Sequence, residues 1–209
     1  MKTISIGTQS SAAALAQAFA DALATEIGWR ADDEGNVKKD GIDIYFRFYV
    51  SGASVQCTIS NSYTSPSSST TVSFSTANTY NIYIMESTGG SIAVGIGVST
   101  GIPYFGVLIT RNTAGVYIGI SIYSNSIYTV RGVETSNRQI SLSTSNSSSG
   151  VSTSIVKMPD IWGAAMFNDL YYVMSCPYKS TDRVFYIGGK NYRSVGPSDN
   201  YMYFALPEE

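Results

Sequence analysis

The sequence predicts a mainly β protein, an antiparallel β-sandwich or barrel-like fold that carries one N-terminal α-helix. Several segments alternate apolar and polar residues with a period of two, which is typical of half-buried strands. Residues that favour strands and turns dominate the 209-residue chain, which holds 32 Ser, 18 Thr, 19 Gly and 16 Tyr. Apolar residues recur convincingly at helical spacing in one segment only, close to the N-terminus.

Residues 9–27 form the predicted helix. Alanines are frequent there, Ser10 or Ser11 is placed to cap the first turn, and Gly28 is placed to end the last one. Four apolar residues recur at every fourth position and form one stripe: Leu15, Phe19, Leu23 and Ile27. Such a stripe packs either against a sheet of its own chain or into a neighbouring subunit, and the sequence leaves both open.

The charged segment 31–40 is centred on Gly35-Asn36, which predicts a solvated turn between two short strands. Its carboxylates are spaced differently from those of a calcium-binding EF-hand loop, which alternates oxygen ligands around a fixed glycine and ends on a glutamate. We therefore expect no metal site in this segment and no cofactor in the protein.

Alternation is strongest over 42–50, where every second residue is apolar: Ile42, Ile44, Phe46, Phe48 and Val50. The same period recurs over 80–85, 92–98 and 116–123, and strands spaced in this way favour a sandwich or a barrel. Glycines line one face of the last two strands. Glycine inside a strand usually lets another backbone or large side chains approach closely.

Two stretches rich in Ser, Thr and Asn, 60–71 and 141–154, predict exposed loops. The composition becomes rich in aromatic residues after the second stretch, which suggests a boundary. We therefore divide the chain into an N-terminal helix and arm (1–30), a β-sandwich body (31–154) and a C-terminal β subdomain or continuation of the sandwich (155–209). Within the last part, a β-hairpin is predicted with strands 184–187 and 192–195 and a turn over 188–191.

Composition excludes several classes of function. The chain has no histidine, so Ser-His-Asp and Cys-His catalysis, histidine general bases and His-containing zinc sites are ruled out. Its 13 basic residues form no long run and are balanced by 15 acidic ones, so we expect no nucleic-acid partner. Polar residues interrupt the signal-peptide-like N-terminus, and no apolar run approaches the ~18 residues of a membrane span. We expect neither secretion nor a membrane anchor.

The two cysteines, Cys57 and Cys176, are too few and too distant in sequence for a disulfide framework or a metal cluster. Each lies in a strand-like run, where buried free thiols are common. The sequence alone leaves open whether the two cysteines form a disulfide bond.

Two fragments match motifs of penicillin-recognising enzymes: Ser154 to Lys157 as S-x-x-K, and Ser198 to Asn200 as S-D-N. The third motif, K-T-G, is missing. The β-branched neighbours of Ser154 predict a strand, which directs the Ser154 and Lys157 side chains to opposite faces. Acidic residues suited to glycoside hydrolysis are scattered, and no glycine-rich phosphate loop opens a helix. We therefore expect no catalytic residues and a non-enzymatic protein.

Many aromatic residues lie opposite the aliphatic face of the predicted strands or in the C-terminal part. An amphipathic aromatic ring suits sugar recognition or a protein interface, because it supplies a large contact area at little entropic cost. A second sheet or the helix is the alternative cover for these rings. The candidate glycan contacts are Trp162, Tyr45, Tyr49, Tyr117 and Tyr123.

Three C-terminal segments carry a resemblance: 167–177, 182–196 and 203–207. They combine an I-x-G-K-x-Y hairpin with a closing apolar strand, and this pattern resembles the C-terminal ends of structural proteins of tailed bacteriophages and prophages. The resemblance implies a virion component of the tail, baseplate or neck, assembled in the bacterial host cytoplasm. It carries no catalytic motif.

The expected protein is thus a homo-oligomer that contacts its own copies and other virion proteins. We expect these contacts on the helix stripe and on the hairpin, at Leu15, Phe19, Leu23, Lys190, Tyr192 and Arg193. Two alternatives remain: a glycan- or receptor-binding module of a phage fibre or tail tip, which binds host surface glycans, and a capsid decoration protein.

Overall fold

The computed structural model describes residues 1–32, 35–38, 44–60, 72–86, 90–99, 103–111, 117–123, 126–131, 134–139, 146–147, 150–151, 154–157, 172–175, 184–187, 189–197 and 202–208. These residues form one helix, α1 (Ala12–Ile27), and antiparallel strands. The central sheet has seven strands, in spatial order β1 (Lys2–Ile6), β7 (Tyr80–Glu86), β8 (Ile92–Val98), β9 (Pro103–Arg111), β10 (Tyr117–Tyr123), β11 (Ser126–Arg131) and β12 (Glu134–Gln139).

Two five-stranded sheets accompany the central one. The N-terminal sheet has the order β2-β3-β4-β5-β6, with strands β2 (Arg30–Ala31), β3 (Asn36–Lys38), β4 (Tyr45–Ser51), β5 (Ser54–Ser60) and β6 (Val72–Ser75). The C-terminal sheet has the order β15-β16-β19-β18-β17, with strands β15 (Ser154–Lys157), β16 (Tyr172–Ser175), β17 (Val184–Ile187), β18 (Lys190–Pro197) and β19 (Met202–Pro207). A short ribbon pairs β13 (Asn146–Ser147) with β14 (Gly150–Val151). The prediction of a mainly β, sandwich-like fold with one N-terminal helix is confirmed.

The predicted helix is present and begins three residues later than expected. The Ser11 hydroxyl accepts a hydrogen bond from the backbone N of Ala14 at 3.1 Å, which satisfies one of the free N–H groups of the first turn. Gly28 ends the helix with φ at 65°, a left-handed conformation that glycine adopts without strain. The buried face of α1 packs on β4 and β5 of the N-terminal sheet.

The turn before β3 differs from its prediction, because Gly35 and Asn36 are buried rather than solvated. The Asp32 carboxylate accepts hydrogen bonds from the backbone N of Asn36 at 2.9 Å and from its side-chain amide at 3.0 and 3.2 Å. Gly35 O accepts a hydrogen bond from Phe48 N at 2.9 Å. The turn is therefore folded down onto β4 by hydrogen bonds instead of projecting into water.

The predicted strands of the central sheet are all observed, as β7, β8 and β10. Gly119 on β10 faces the N-terminal sheet, where a Cβ atom would lie 3.1 Å from the side-chain tips of Ile44 and Ile59. A side chain at Gly119 would force these two isoleucines apart, since 3.1 Å is shorter than an ordinary carbon–carbon contact. This confirms that glycine there admits the large side chains of a facing sheet.

The C-terminal sheet packs on the central one through β18, whose Cα atoms come within 8 Å of those of β8 and β9. Packed sheets usually lie ~10 Å apart, so small residues are needed at the contact. Gly95 and Gly97 on β8 are buried and meet this need. All strands of the C-terminal sheet lie between Ser154 and Pro207, while the independence of 155–209 stays a prediction. The N-terminal arm is not separate from the body, because β1 pairs with β7.

The predicted hairpin is present as β17 and β18, with a shorter turn than expected. Ile187 pairs with Lys190, so two residues form the turn instead of four. Gly189, the second turn residue, has φ at 86°, a positive value that type I′ hairpin turns need there and that glycine adopts without strain.

Gly35 provides a direct test of the buried turn. Gly35→Ala would place Cβ 2.2 Å from Phe48 O at φ +78°, so both a steric clash and a strained backbone result. We expect a loss of about 2–5 kcal/mol in the free energy of unfolding, as the sum of about 1–2 kcal/mol for the left-handed backbone and about 1–3 kcal/mol for overpacking. Urea unfolding followed by circular dichroism measures it.

Gly52→Ala is the matched control, because Gly52 has φ +61° and open space around its Cβ position. It carries only the backbone strain, about 1–2 kcal/mol. Equal losses for the two variants would contradict the packing of the turn on β4.

Candidate functional site

The three stripe residues predicted to contact other copies, Leu15, Phe19 and Leu23, are fully buried inside the chain. Of the two alternatives for the stripe, packing on the chain's own sheets is therefore the one observed. These side chains have no exposed surface for a neighbouring subunit. An assembly role for them stays a prediction, and it now requires α1 to leave the core.

The three predicted hairpin contacts lie in different surroundings. Lys190 is exposed at the start of β18, whereas Tyr192 is buried with 2% of its surface exposed. Arg193 is partly exposed and forms an ion pair with Glu208, which also accepts a hydrogen bond from Arg193 Nε. Lys190 is thus the one of the three that is exposed.

Two further side chains of the hairpin are exposed and were not predicted as contacts. Val184 is 48% exposed and Tyr186 is 76% exposed, and both project from the same face of β17. Strand β17 is the last strand of the C-terminal sheet among the described residues. We call Val184–Ile187 the β17 edge; it contains no charged residue and no proline. Its place as the first strand of the predicted hairpin is the sequence signal that identifies it.

The five candidate glycan contacts do not form one surface in the described part of the chain. Tyr45 is buried, with Lys38 Nζ 4.9 Å from its ring centroid and donating to its hydroxyl at 3.1 Å. Trp162 lies outside the described residues, as do the side chains of Tyr117 and Tyr123. Tyr49 is the candidate that remains partly exposed on β4.

A pocket of about 150 Å³ opens between α1 and the end of β4. We call it the α1–β4 pocket. Tyr49 lines it together with Val50, which is 50% exposed, and with Gln17 on the outer side of the helix. The remaining lining residues are small or buried: Ala13, Ala16, Gly35 and Phe48. The pocket is a product of helix–sheet packing, so no local sequence pattern indicates it.

Hydrogen bonds and a cation–π contact connect the side chains of Asp32, Asn36, Arg47 and Tyr49. Asn36, fixed by the Asp32 carboxylate, accepts a hydrogen bond from Arg47 Nε at 3.1 Å. The Arg47 guanidinium carbon lies 5.6 Å from the centroid of the Tyr49 ring, within the range of a cation–π contact. The Tyr49 ring is thereby oriented by groups that are themselves hydrogen-bonded, on the face of β4 opposite to Phe48.

The nucleophilic and metal-binding candidates give no reactive site in this part of the chain. Cys57 on β5 is a free thiol, and complete burial raises its pKa well above the ordinary value, so it carries no thiolate at neutral pH. Among the described residues, no three His, Cys, Asp or Glu side chains are grouped closely enough to hold a metal ion. Cys176, Ser198 and Asn200 lie outside the described residues, and Ser154 and Lys157 both lie in strand β15, as the β-branched pattern predicted.

Comparison with known proteins identifies no family, since no family model, no curated protein and no solved structure matches this chain. Across the ranges described above, no helix has the length and apolar character needed to cross a membrane. Within the described residues, two surfaces are candidates for a function, the β17 edge and the α1–β4 pocket.

Proposed function

We propose that this protein is a non-enzymatic structural component that assembles with copies of itself through the β17 edge. The observation that carries the proposal is the exposure of Val184 and Tyr186 on an uncharged strand at the end of a sheet. An edge strand presents unpaired backbone N–H and C=O groups, and proteins that avoid pairing protect such edges with charges, proline or bulges. The β17 edge has none of these devices between residues 184 and 187.

The occupant that fits this edge best is β17 of a second copy. In an antiparallel pair centred on position 185, Val184 of each copy lies opposite Tyr186 of the other, on the face where both are exposed in the single chain. Aromatic and β-branched residues make favourable cross-strand pairs, and no like charges oppose one another across such a pair. A two-fold axis through position 185 gives both copies identical contacts, which is the usual geometry of a homodimeric interface.

The location of the assembly is part of the same proposal. The C-terminal hairpin that resembles tailed-phage structural proteins is also the element that carries the β17 edge. We therefore propose a virion component of the tail, baseplate or neck, assembled in the host cytoplasm beside other virion proteins. A capsid decoration protein would use the edge in the same way.

The glycan-binding alternative retains one supporting observation, the pocket lined by Tyr49. The burial of Tyr45 weakens the broad aromatic surface on which that alternative first depended. A receptor-binding tip and a self-assembling shell protein are compatible in one chain, because the pocket and the β17 edge lie on different sheets.

Val184→Lys tests self-assembly. We expect the wild-type chain to sediment as an oligomer and the variant to dissociate at roughly tenfold higher concentration, because two symmetry-related cross-strand pairs of about 0.2–1 kcal/mol each are lost. Val50→Lys is the matched control, since Val50 is also an exposed strand valine, at 50% against 48% exposure. Sedimentation velocity over a concentration series measures both. A monomeric wild-type chain, or equal effects of the two lysines, would contradict the proposal.

A separate experiment tests whether the protein is part of a phage particle. In bacteria that carry the gene on a prophage, induction should place the protein in DNA-containing particles that band on a density gradient, where immunoblotting detects it. Recovery of the protein only in the particle-free fraction would refute the virion assignment and leave self-assembly standing. Truncation of residues 1–28 is unsuited to either question, because it removes β1 and the buried face of α1.

A further inference from the structure

The central sheet ends, among the described strands, at β1, which pairs with β7 and with no other strand of that part of the chain. The side of β1 away from β7 therefore presents unpaired backbone N–H and C=O groups, and such an edge pairs readily with another strand. The pairing with β7 is unbroken from Lys2 to Ile6, so no bulge turns the edge aside. The segment also contains no proline.

One charged residue lies on this strand, and its charge is already compensated. Lysine is a side chain that commonly keeps edge strands from pairing. Here Lys2 Nζ lies 3.1 Å from Glu26 Oε2 in the last turn of α1. The ion pair offsets the one charge that would protect this edge, and the rest of β1 is uncharged.

The helix carries short side chains on the side that faces β1. Ala18, Ala22 and Glu26 recur at every fourth position and therefore share one side of α1. The contact between Glu26 and Lys2 shows that this side is directed toward β1. Ala18 and Ala22 are half-buried against the core. The middle turns of the helix thus leave room for another strand to approach β1.

The sequence of β1 is complementary to itself in an antiparallel pair centred on Ile4. Ile4 then lies opposite Ile4 of the other copy, Thr3 lies opposite Ser5, and Lys2 lies opposite Ile6. Isoleucine and threonine favour strands, and Thr–Ser pairs are favourable across two strands. No like charges oppose one another in this register.

The Thr3–Ser5 pair is also matched in hydrogen bonding. Both residues are exposed in the single chain. The Ser5 hydroxyl donates to Asn81 Oδ1 at 2.8 Å, so the Ser5 oxygen can accept a hydrogen bond. The Thr3 hydroxyl of the other copy is the donor that this register places opposite it.

We propose that β1 pairs with β1 of a second copy, which makes the central sheets of the two copies continuous. We call Lys2–Ile6 the β1 edge. The pairing of the β1 edge does not require the β17 edge. Growth beyond a dimer, however, rests on the proposed function, because it needs both edges on the same chain. Two different two-fold contacts give each copy two neighbours, so that copies form an open chain or a closed ring.

Sedimentation velocity over a concentration series tests the proposal with the wild-type chain, Thr3→Lys, Val184→Lys and the double variant. Thr3→Lys leaves the core unchanged and adds two lysines about 7–8 Å apart, one on each side of the two-fold axis. We expect the wild-type chain to exceed the mass of a dimer, and Thr3→Lys to need roughly tenfold higher concentration to do so. The double variant should dissociate most readily.

Ser51→Lys is the matched control, because Ser51 is an exposed hydroxyl residue at the end of β4, an inner strand of its sheet. Equal behaviour of Thr3→Lys and Ser51→Lys would overturn the β1 pairing and leave assembly through the β17 edge standing. Sensitivity to Thr3→Lys without sensitivity to Val184→Lys would support the β1 pairing and refute the proposed function. A monomeric wild-type chain would overturn both.

Ile4→Cys tests the register of the pair. A cysteine on the two-fold axis lies opposite its own copy, where the Cβ separation of cross-strand neighbours approaches that of a disulfide. We expect a disulfide-linked dimer on non-reducing electrophoresis that reductant removes, and none from Ser51→Cys, which keeps the same native cysteines. A missing crosslink, or equal yields from the two variants, would overturn the register. If Ile4→Cys fails to fold, Thr3→Lys still decides, because Thr3 is exposed.

Discussion

The packing of the Phe19 ring at the junction of the helix and two sheets is the interaction on which the rest of the structure depends. Its centroid lies 5.2 Å from Phe48 on β4, 5.0 Å from Phe74 on β6 and 5.3 Å from Tyr80 on β7. All four rings are fully buried. Such aromatic pairs contribute about 0.5–1.5 kcal/mol each beyond the area they bury, so this cluster joins the N-terminal sheet to the central sheet through α1.

Both candidate surfaces are consequences of this arrangement. The helix is fixed on β4 by its buried face, so its outer residue Gln17 lies across from the end of β4, and the α1–β4 pocket opens between them. On the central sheet, β8 is buried on both faces, one toward this core and one toward β18. That contact fixes β18. Its neighbour in the C-terminal sheet, β17, therefore lies at the border of the described sheet, where Val184 and Tyr186 are exposed.

The sequence predicted the strands whose two faces differ in the polarity or size of their side chains. It failed to predict strands without such a difference. Alternation identified β4, β7, β8 and β10, whereas β9 is buried over 105–110, so no polar face marks it. The five-residue β1 lies in the arm before the predicted helix, and so short a segment shows no clear period. The pocket escaped prediction because α1 and the end of β4 come together only through tertiary packing. Tyr45, expected on an open face, is covered by Lys38 from the neighbouring strand.

Native-state hydrogen exchange of the α1 amides tests the central claim most directly. If Phe19 joins the helix to both sheets, the amides from Leu15 to Leu23 open only with the sheets, so their free energy of opening equals that of β5 and β8. A free energy of opening several kcal/mol lower for α1 than for both strands would show that the helix detaches from a core that is stable without it. That result would contradict the account and would make the helix stripe available to another subunit.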